Sequence, residues 1–393
     1  MLEFSIAMPP LGIYVQVPFC QTKCTYCNFH TGVFSKDLYA PYVEAVYQEM
    51  SDFRHLLSEN QIEAVPGAVV DTVYFGGGTP SLLDPAGLGR ILEAIRRSFE
   101  ARLSEVTLEA DPETITIEKA TAWRAAGFNR ISMGAQSFND TELRSAGRMH
   151  RREDVFRATE ILRGSGFSNL SFDLIAGLPH QTAATWAVSL GELLRLRPEH
   201  VSIYMMEIDE GSRLGLEVLQ GGARYSAKEL PTDDAMAEFY EHACAKLAEA
   251  GYVHYEISNW ALHGFESRHN LKYWRREPYF GFGAGAHSFN GTQRWANAHD
   301  PAGYADAILR GRFPVEQFET VTPEQALEEE LFLGLRQLAG IDLRGIESKY
   351  RVRIAPRVKE LVAQGLVEWD GPRLRLSPSR LTVSNEVFVQ LLQ

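Results

Sequence analysis

The sequence predicts an α/β protein, an open, partial (β/α)6 barrel of TIM-like kind, followed by a C-terminal winged-helix-like module. Three observations point there. Six strand-like runs alternate with helix-like runs through the first half of the chain, which implies a parallel sheet with right-handed crossovers. Each of those strands ends in glycines or in a polar residue, which a layered core does not need, so the rim at the strand ends reads as one continuous ligand site. From about Pro323 the alternation gives way to three short helices and a small hairpin.

In chain order, Ile13–Val17 reads as the first strand and runs into a cysteine loop. Leu38–His55 has helical periodicity, with Tyr42, Val43, Val46 and Met50 on one side. Val69–Phe75 is a second strand, stopped by Gly76-Gly77-Gly78-Thr79-Pro80, and a helix spans Pro85 to Phe99. The strand Glu105–Leu108 ends at Glu109-Ala-Asp111-Pro, and the helix Ile117–Ala126 follows. Strand Arg130–Met133 ends at Gly134-Ala-Gln136, with helix Arg152–Gly164 beyond it. Strand Leu170–Leu174 ends at Ala176-Gly-Leu-Pro179, helix Thr182–Leu194 comes next, and Val201–Met205 is the sixth strand. Glu210–Thr232 reads as a polar surface excursion, Asp233–Ala250 as a helix and Val253–Ile257 as a strand. Helices are expected at Gln325–Leu338, Leu343–Tyr350 and Ala355–Gln364, then a hairpin of Leu366–Trp369 and Arg373–Leu376 turned at Asp370-Gly371. The expected domains are 1–235 for the barrel, 236–320 for a connecting segment and 321–393 for the module.

Composition sets bounds. A chain of 393 residues accommodates one large domain and a smaller one. A net charge of -12 argues against nucleic acid as a partner, and the acidic run Glu328–Glu330 argues against it for the winged module. No apolar run approaches the ~20 residues of a membrane span, and the first residues do not resemble a secretory leader. Four cysteines, three of them clustered, fit a reducing compartment, so a cytoplasmic location is expected.

The chemistry starts at Cys20-Gln-Thr-Lys-Cys24-Thr-Tyr-Cys27. Three thiolates on one short loop can wrap a compact metal centre. The alternatives are buried or zinc-binding cysteines, but zinc normally takes a closed set of four ligands. Three thiolates on a cubane iron–sulfur cluster leave one iron open for a small molecule. Cys244, far along the chain, reads as a small core residue. Gly76–Pro80 strips side chains so that a ligand can lie against backbone. Glu109, Gln136, Arg148 and Asp173 stand at or beyond strand ends, and their donors and acceptors suit a zwitterionic amino acid and a ribose.

These pieces together closely resemble the radical S-adenosylmethionine (radical SAM) superfamily, and the likeness runs along essentially the whole chain. The nearer resemblance is to oxygen-independent coproporphyrinogen dehydrogenases and their relatives, the HemW-type heme chaperones. It implies a 4Fe–4S cluster on Cys20, Cys24 and Cys27. It further implies S-adenosylmethionine contacts from Tyr14, Gly77, Gly78, Thr79, Glu109, Gln136, Arg148 and Asp173, with Tyr26 packing on the adenine. The dehydrogenases carry a further Cys two residues past the third cluster ligand, where this chain has Phe29, and an extension before the first strand, near which this chain begins. His269-Asn-Leu-Lys-Tyr273-Trp274 instead matches the His-Asn-x-x-Tyr-Trp signature of the heme chaperones. Imidazole is a common axial ligand of heme iron, and Tyr273 and Trp274 offer flat apolar surface. The glycine-dense run Gly281–Gly285 reads as backbone open to a large flat ligand, with His287 as a second candidate ligand.

Two functions are then in play. One is a chaperone that binds heme and delivers it to a recipient heme apoprotein, a respiratory one among the candidates, with peripheral membrane contact allowed. The other is an enzyme of heme biosynthesis that oxidatively decarboxylates coproporphyrinogen III, a reduced cluster cleaving S-adenosylmethionine to start radical chemistry.

Overall fold

A computed structural model describes residues 10–392, so the expectation about the first residues falls outside the described part. Six parallel strands follow one another in space as in sequence. They are β1 (Pro10–Val17), β2 (Val69–Gly77), β3 (Ala101–Ala110), β4 (Arg130–Gln136), β5 (Leu170–Ala176) and β6 (His200–Met205). The helices between them are α1 (Tyr39–Glu59), α2 (Pro85–Ser98), α3 (Ile117–Ala126), α4 (Asp140–Ser145), α5 (Arg152–Gly164) and α6 (Ala183–Leu196). Local chemistry sets their ends. Asp84 accepts from the Ala86 N–H with Pro85 in the first turn of α2, Thr116 caps α3, and Thr182 and Thr185 cap α6 reciprocally.

Alternation along the six strands separates two environments. One face carries Ile13, Val15, Val73, Phe75, Val106, Leu108, Ile131, Met133, Phe172 and Val201, all buried against the helices. The other carries Tyr14, Gln16, Thr72, Tyr74, Thr107, Glu109, Arg130, Ser132, Asp173 and Ser202, and lines the lumen. A filled barrel core holds mostly branched aliphatic side chains. This lumen is polar.

The remaining chain widens the sheet at both edges. After α7 (Arg213–Leu219) and α8 (Asp233–Glu249), β7 (Val253–Glu256) and β8 (Asn259–Ala261) extend it beyond β6. After α9 (Arg268–Trp274), β9 (Tyr279–Phe282) pairs parallel with β1. β10 (His287–Phe289), β11 (Gln293–Asn297) and, after α10 (Pro301–Leu309), β12 (Val315–Thr320) continue that edge. The sheet thus has twelve strands with β12 and β7 at its ends, and the barrel stays open. The excursion expected over Glu210–Thr232 contains a helix, with Ser212 capping α7, and a kinked stretch Arg224–Glu229 in which Tyr225 and Ser226 take positive φ.

The C-terminal module has α11 (Pro323–Leu335), β13 (Ile341–Asp342), α12 (Leu343–Tyr350), α13 (Ala355–Ala363), β14 (Val367–Asp370), β15 (Arg373–Leu376) and α14 (Ser384–Leu392). Its three strands form a separate sheet in the order β13-β15-β14. Glu329 of α11 ties it to the barrel by accepting from Arg276 Nε and Arg294 Nη2, each at 2.8 Å. The Arg336 guanidinium lies 4.5 Å over the Trp274 ring. Among the described residues no helix is long and apolar enough to cross a membrane.

Candidate functional site

The cysteine loop leaves β1 at the carboxyl end of the strands and is pinned there by backbone. Cys20 N–H donates to Gly32 O at 2.8 Å, Thr25 N–H to Ala146 O at 3.0 Å, and Leu214 N–H to Thr25 O at 2.8 Å. The loop after β2 is locked to the same place, with Gly78 N–H donating to Val17 O at 2.8 Å and Thr79 N–H to Phe19 O at 2.7 Å. A methyl group on Gly78 would stand 2.6 Å from Phe19 O and 3.0 Å from Cys20 Sγ, so only glycine lets the loops meet this closely. Burial pushes the Cys20 thiol up to about 11. Thr31 opposes the shift by a hydrogen bond, and the nearby Cys27, Asp111 and Cys24 add to it. Arg148 Nη1 donates to Cys24 Sγ at 3.5 Å, and Thr31 Oγ1 lies 3.9 Å from Cys27 Sγ. The three thiols are each half-buried, Cys20 lies near enough to Cys24 and Cys27 to feel their charge, and its Sγ stands against Gly78 of the glycine run.

Below that rim the lumen wall is acidic and hydrogen-bonded. Glu109 accepts from Tyr74 Oη at 2.8 Å and from the Gly77 N–H at 3.0 Å. Burial, reinforced by the Asp173 and Asp111 carboxylates, pushes it up to about 7 against those donors. Asp173 is also raised, first by burial. Tyr14 donates to Gln16 Oε1 at 2.6 Å and stacks on Tyr74. Gln136 ends β4 at φ 60°, a left-handed conformation of the kind that collects at functional sites. Arg148 donates to Asp111 and, at 2.9 Å, to Gly134 O. Tyr26 packs in a small cluster with Ala146, Leu178, Met206 and Leu214.

The other end of the lumen is closed by α9. Glu105 accepts from the Arg268 N–H at 3.0 Å and from the His269 N–H at 2.9 Å, so a strand carboxylate caps the helix. His269 is 1% exposed, with Nδ1 3.0 Å from Thr72 Oγ1 and Nε2 2.9 Å from Tyr273 Oη. Burial holds its pKa down to about 3, so the ring is neutral. It stacks under Tyr74. Tyr273 meets Tyr279 edge-on, and Trp274 lies beneath Arg336. His269 sits against Gly12 and the cysteine loop follows Val17, which places the floor about 15 Å from the rim. Gly281 of β9 and Gly283 just after it face protein rather than open space, since a methyl on Gly281 would meet His287 O and one on Gly283 would meet Tyr42 Oη at 2.5 Å. His287 is exposed at the start of β10.

Residues 14–192 match the model of the radical SAM superfamily, and residues 321–379 that of the HemN C-terminal domain. The chain is 36% identical to heme chaperone HemW of Bacillus subtilis, over 95% of its own length and 97% of that protein's. This chain belongs to the HemW family of the radical SAM superfamily. It is also 30% identical to heme chaperone HemW of Escherichia coli, covering 92% of each. To the mitochondrial radical S-adenosyl methionine domain-containing protein 1 of Bos taurus it is 34% identical, over 97% of this chain and 87% of the relative. Among solved structures, coproporphyrinogen III oxidase (HemN) from Escherichia coli overlaps 98% of this chain and 90% of its own, with a TM-score of 0.81 at 23% identity. That likeness shows the fold.

In this HemW-family chain the strand-end residues singled out from the sequence gather at one end of the lumen, while His269, Tyr273 and Trp274 share the opposite end. Sequence reading gave no role to Asp111, whose Oδ2 accepts from Thr79 Oγ1 at 3.1 Å while Oδ1 holds Arg148. Its signal was present, a carboxylate two residues past Glu109 at the strand's end. Arg130 was missed as well. It is 1% exposed on the lumen face, with Nε and Nη1 lacking any hydrogen-bond partner among the described residues.

Proposed function

We propose that the protein binds heme and hands it to a recipient heme apoprotein, with a 4Fe–4S cluster on Cys20, Cys24 and Cys27 and S-adenosylmethionine at the rim. The observation that carries this reading is full-length likeness, at 30% identity and above, to proteins named as heme chaperones. The donor set fits the two resident groups. Half-buried thiols beside a glycine run suit an iron–sulfur cluster, whose irons soft thiolates satisfy. Two buried carboxyls with raised pKa values, Glu109 and Asp173, gain from a cationic ligand, and S-adenosylmethionine carries a sulfonium and an ammonium. Bound there, the pair would supply one-electron chemistry at the sulfonium.

The chain's own residues hold and orient. Gly77 and Gly78 bring backbone close, Thr79 and Asp111 fix Arg148, and Tyr14, Tyr26 and Gln136 shape the walls. His269, Tyr273 and Trp274 would reach heme from the floor, and ligation by His269 requires the Tyr273 hydroxyl to leave its Nε2. Anaerobically reconstituted protein is expected to give a Soret band on heme titration and to pass that heme to an apo-globin. No heme-dependent Soret change would end this reading. Coproporphyrinogen III incubated with dithionite and S-adenosylmethionine is expected to be recovered unchanged, and its conversion would put the enzyme in the chaperone's place.

A further inference from the structure

A guanidinium is costly to bury unless an anion meets it, so one that stays unmet in a folded chain calls for an explanation. Arg130 opens β4 on the lumen face, 1% exposed, and its Nε and Nη1 have no hydrogen-bond partner among the described residues. The register of the sheet lines it up with Thr107 of β3, Tyr74 of β2 and Tyr14 of β1. Thr107 is 0% exposed, and its Oγ1 is likewise unpartnered. Adjacent strands thus bring an unused hydroxyl and an unused guanidinium edge into one layer of the lumen.

The carboxyls of the lumen are engaged elsewhere. Asp173 feels the Arg130 charge, but its Oδ2 takes the Ser132 hydroxyl at 3.5 Å and burial raises its pKa. Glu109 is taken by Tyr74 and the Gly77 N–H, and Glu105 by the first turn of α9. Water can meet the open hydrogen bonds, but it cannot neutralise the cation. The layer also lies against the floor. Tyr74 stacks on His269, and His269 is near enough for the Arg130 charge to help hold its ring neutral. Above it the lumen is open, since Tyr204, two residues past Ser202 on the same face, is 45% exposed.

We propose that Arg130, with the Thr107 hydroxyl, is the carboxylate seat of the lumen, and that it takes a propionate of the porphyrin whose iron meets His269. The assignment rests on the heme reading above. A guanidinium presents a planar fork that matches the two oxygens of a carboxylate. Heme carries both propionates on one edge, so seating one of them fixes the rotation of the ring about its iron. An axial imidazole alone leaves that rotation free. No covalent bond is made or broken in the step, and no electron moves.

The test compares ferric heme with its dimethyl ester, in which both carboxylates are neutral, by Soret titration of the reconstituted full-length protein. Wild type is expected to bind the free acid about tenfold or more tightly than the ester, and Arg130→Gln to bind the two alike. Arg130→Lys, which keeps the charge without the fork, should fall between them. Because the guanidinium lacks a partner in the fold, Arg130→Gln is expected to keep the wild-type Tm and the wild-type iron and sulfide content. Thr107→Val, which removes only a hydroxyl, should narrow the preference for the free acid and gives a second reading if Arg130→Gln does not fold. Equal wild-type affinity for acid and ester overturns the assignment while leaving heme binding in place, as does a preference that survives in both variants. A loss of S-adenosylmethionine affinity in Arg130→Gln, with the porphyrin preference unchanged, overturns it in favour of that ligand's carboxylate. Wild-type protein without any heme-dependent Soret change overturns the chaperone reading itself.

Discussion

At Gly78 three atoms stand where a side chain would begin, two of them backbone carbonyl oxygens that cannot move without breaking the loop's own bonds. Gly78→Ala is therefore expected to part the glycine run from the cysteine loop, and the variant should retain little iron and sulfide after reconstitution. Wild-type iron content in a folded variant would refute the role given to this contact. Glu49 is a different kind of residue. It is fully buried between α1 and the β9 edge and accepts from Tyr304 Oη at 2.5 Å, Asn297 Nδ2 at 2.7 Å and the Gly283 N–H at 3.0 Å. Burial pushes it up to about 7, against those donors. The folded carboxyl thus keeps its proton to higher pH than the unfolded one. Between about 4.5 and about 7 the folded state binds more protons, so raising the pH through that window favours unfolding, by at most about 3 kcal/mol. Glu49→Gln is expected to flatten this component, read as the difference in Tm between pH 5 and pH 7. An unchanged difference would show that the carboxyl does not titrate there.

Helix α9 has seven residues, too few to be stable alone. It is held by Ser267, which caps it at 3.3 Å, and by Glu105 from the neighbouring strand. Glu105→Ala removes a charged acceptor from the buried His269 N–H and the partly buried Arg268 N–H and is expected to cost about 1–3 kcal/mol. Amide exchange across 268–274 should accelerate, and exchange at the wild-type rate would contradict this account. The helix also marks where sequence stops being legible. The six β/α units could be read because apolar runs, capping residues and glycines all agreed on their limits. The rim could be read because strand ends carry function in such folds. The strands β9 to β12 could not, because they are only three to six residues long and glycines interrupt the run between β9 and β10. Gly281 and Gly283, read as open to a ligand, accommodate β10 and Tyr42 instead. The helix-terminal role of Glu105 was hidden for another reason: it joins residues more than 160 positions apart. His269 was legible as a motif, but its engagement by Thr72 and Tyr273 depends on packing that no spacing encodes.

Over the whole molecule, the C-terminal module meets the barrel at the helix that closes the lumen. Glu329 is the shared acceptor of two arginines, and Arg276 is largely buried beside it. Glu329→Ala leaves a buried guanidinium uncompensated and is expected to cost about 3 kcal/mol. Limited proteolysis should then cut between β12 and α11, and resistance equal to wild type would show that the joint does not depend on this residue. The wet interior of the half-barrel has a consequence of its own. Because Tyr14, Ser132, Asp173 and Ser202 face inward while the aliphatic residues between them face the helices, the molecule is held together from outside. Inner positions are thereby released from most of the duty of keeping the chain folded. A lineage built on this frame can exchange what it grips without first rebuilding the container.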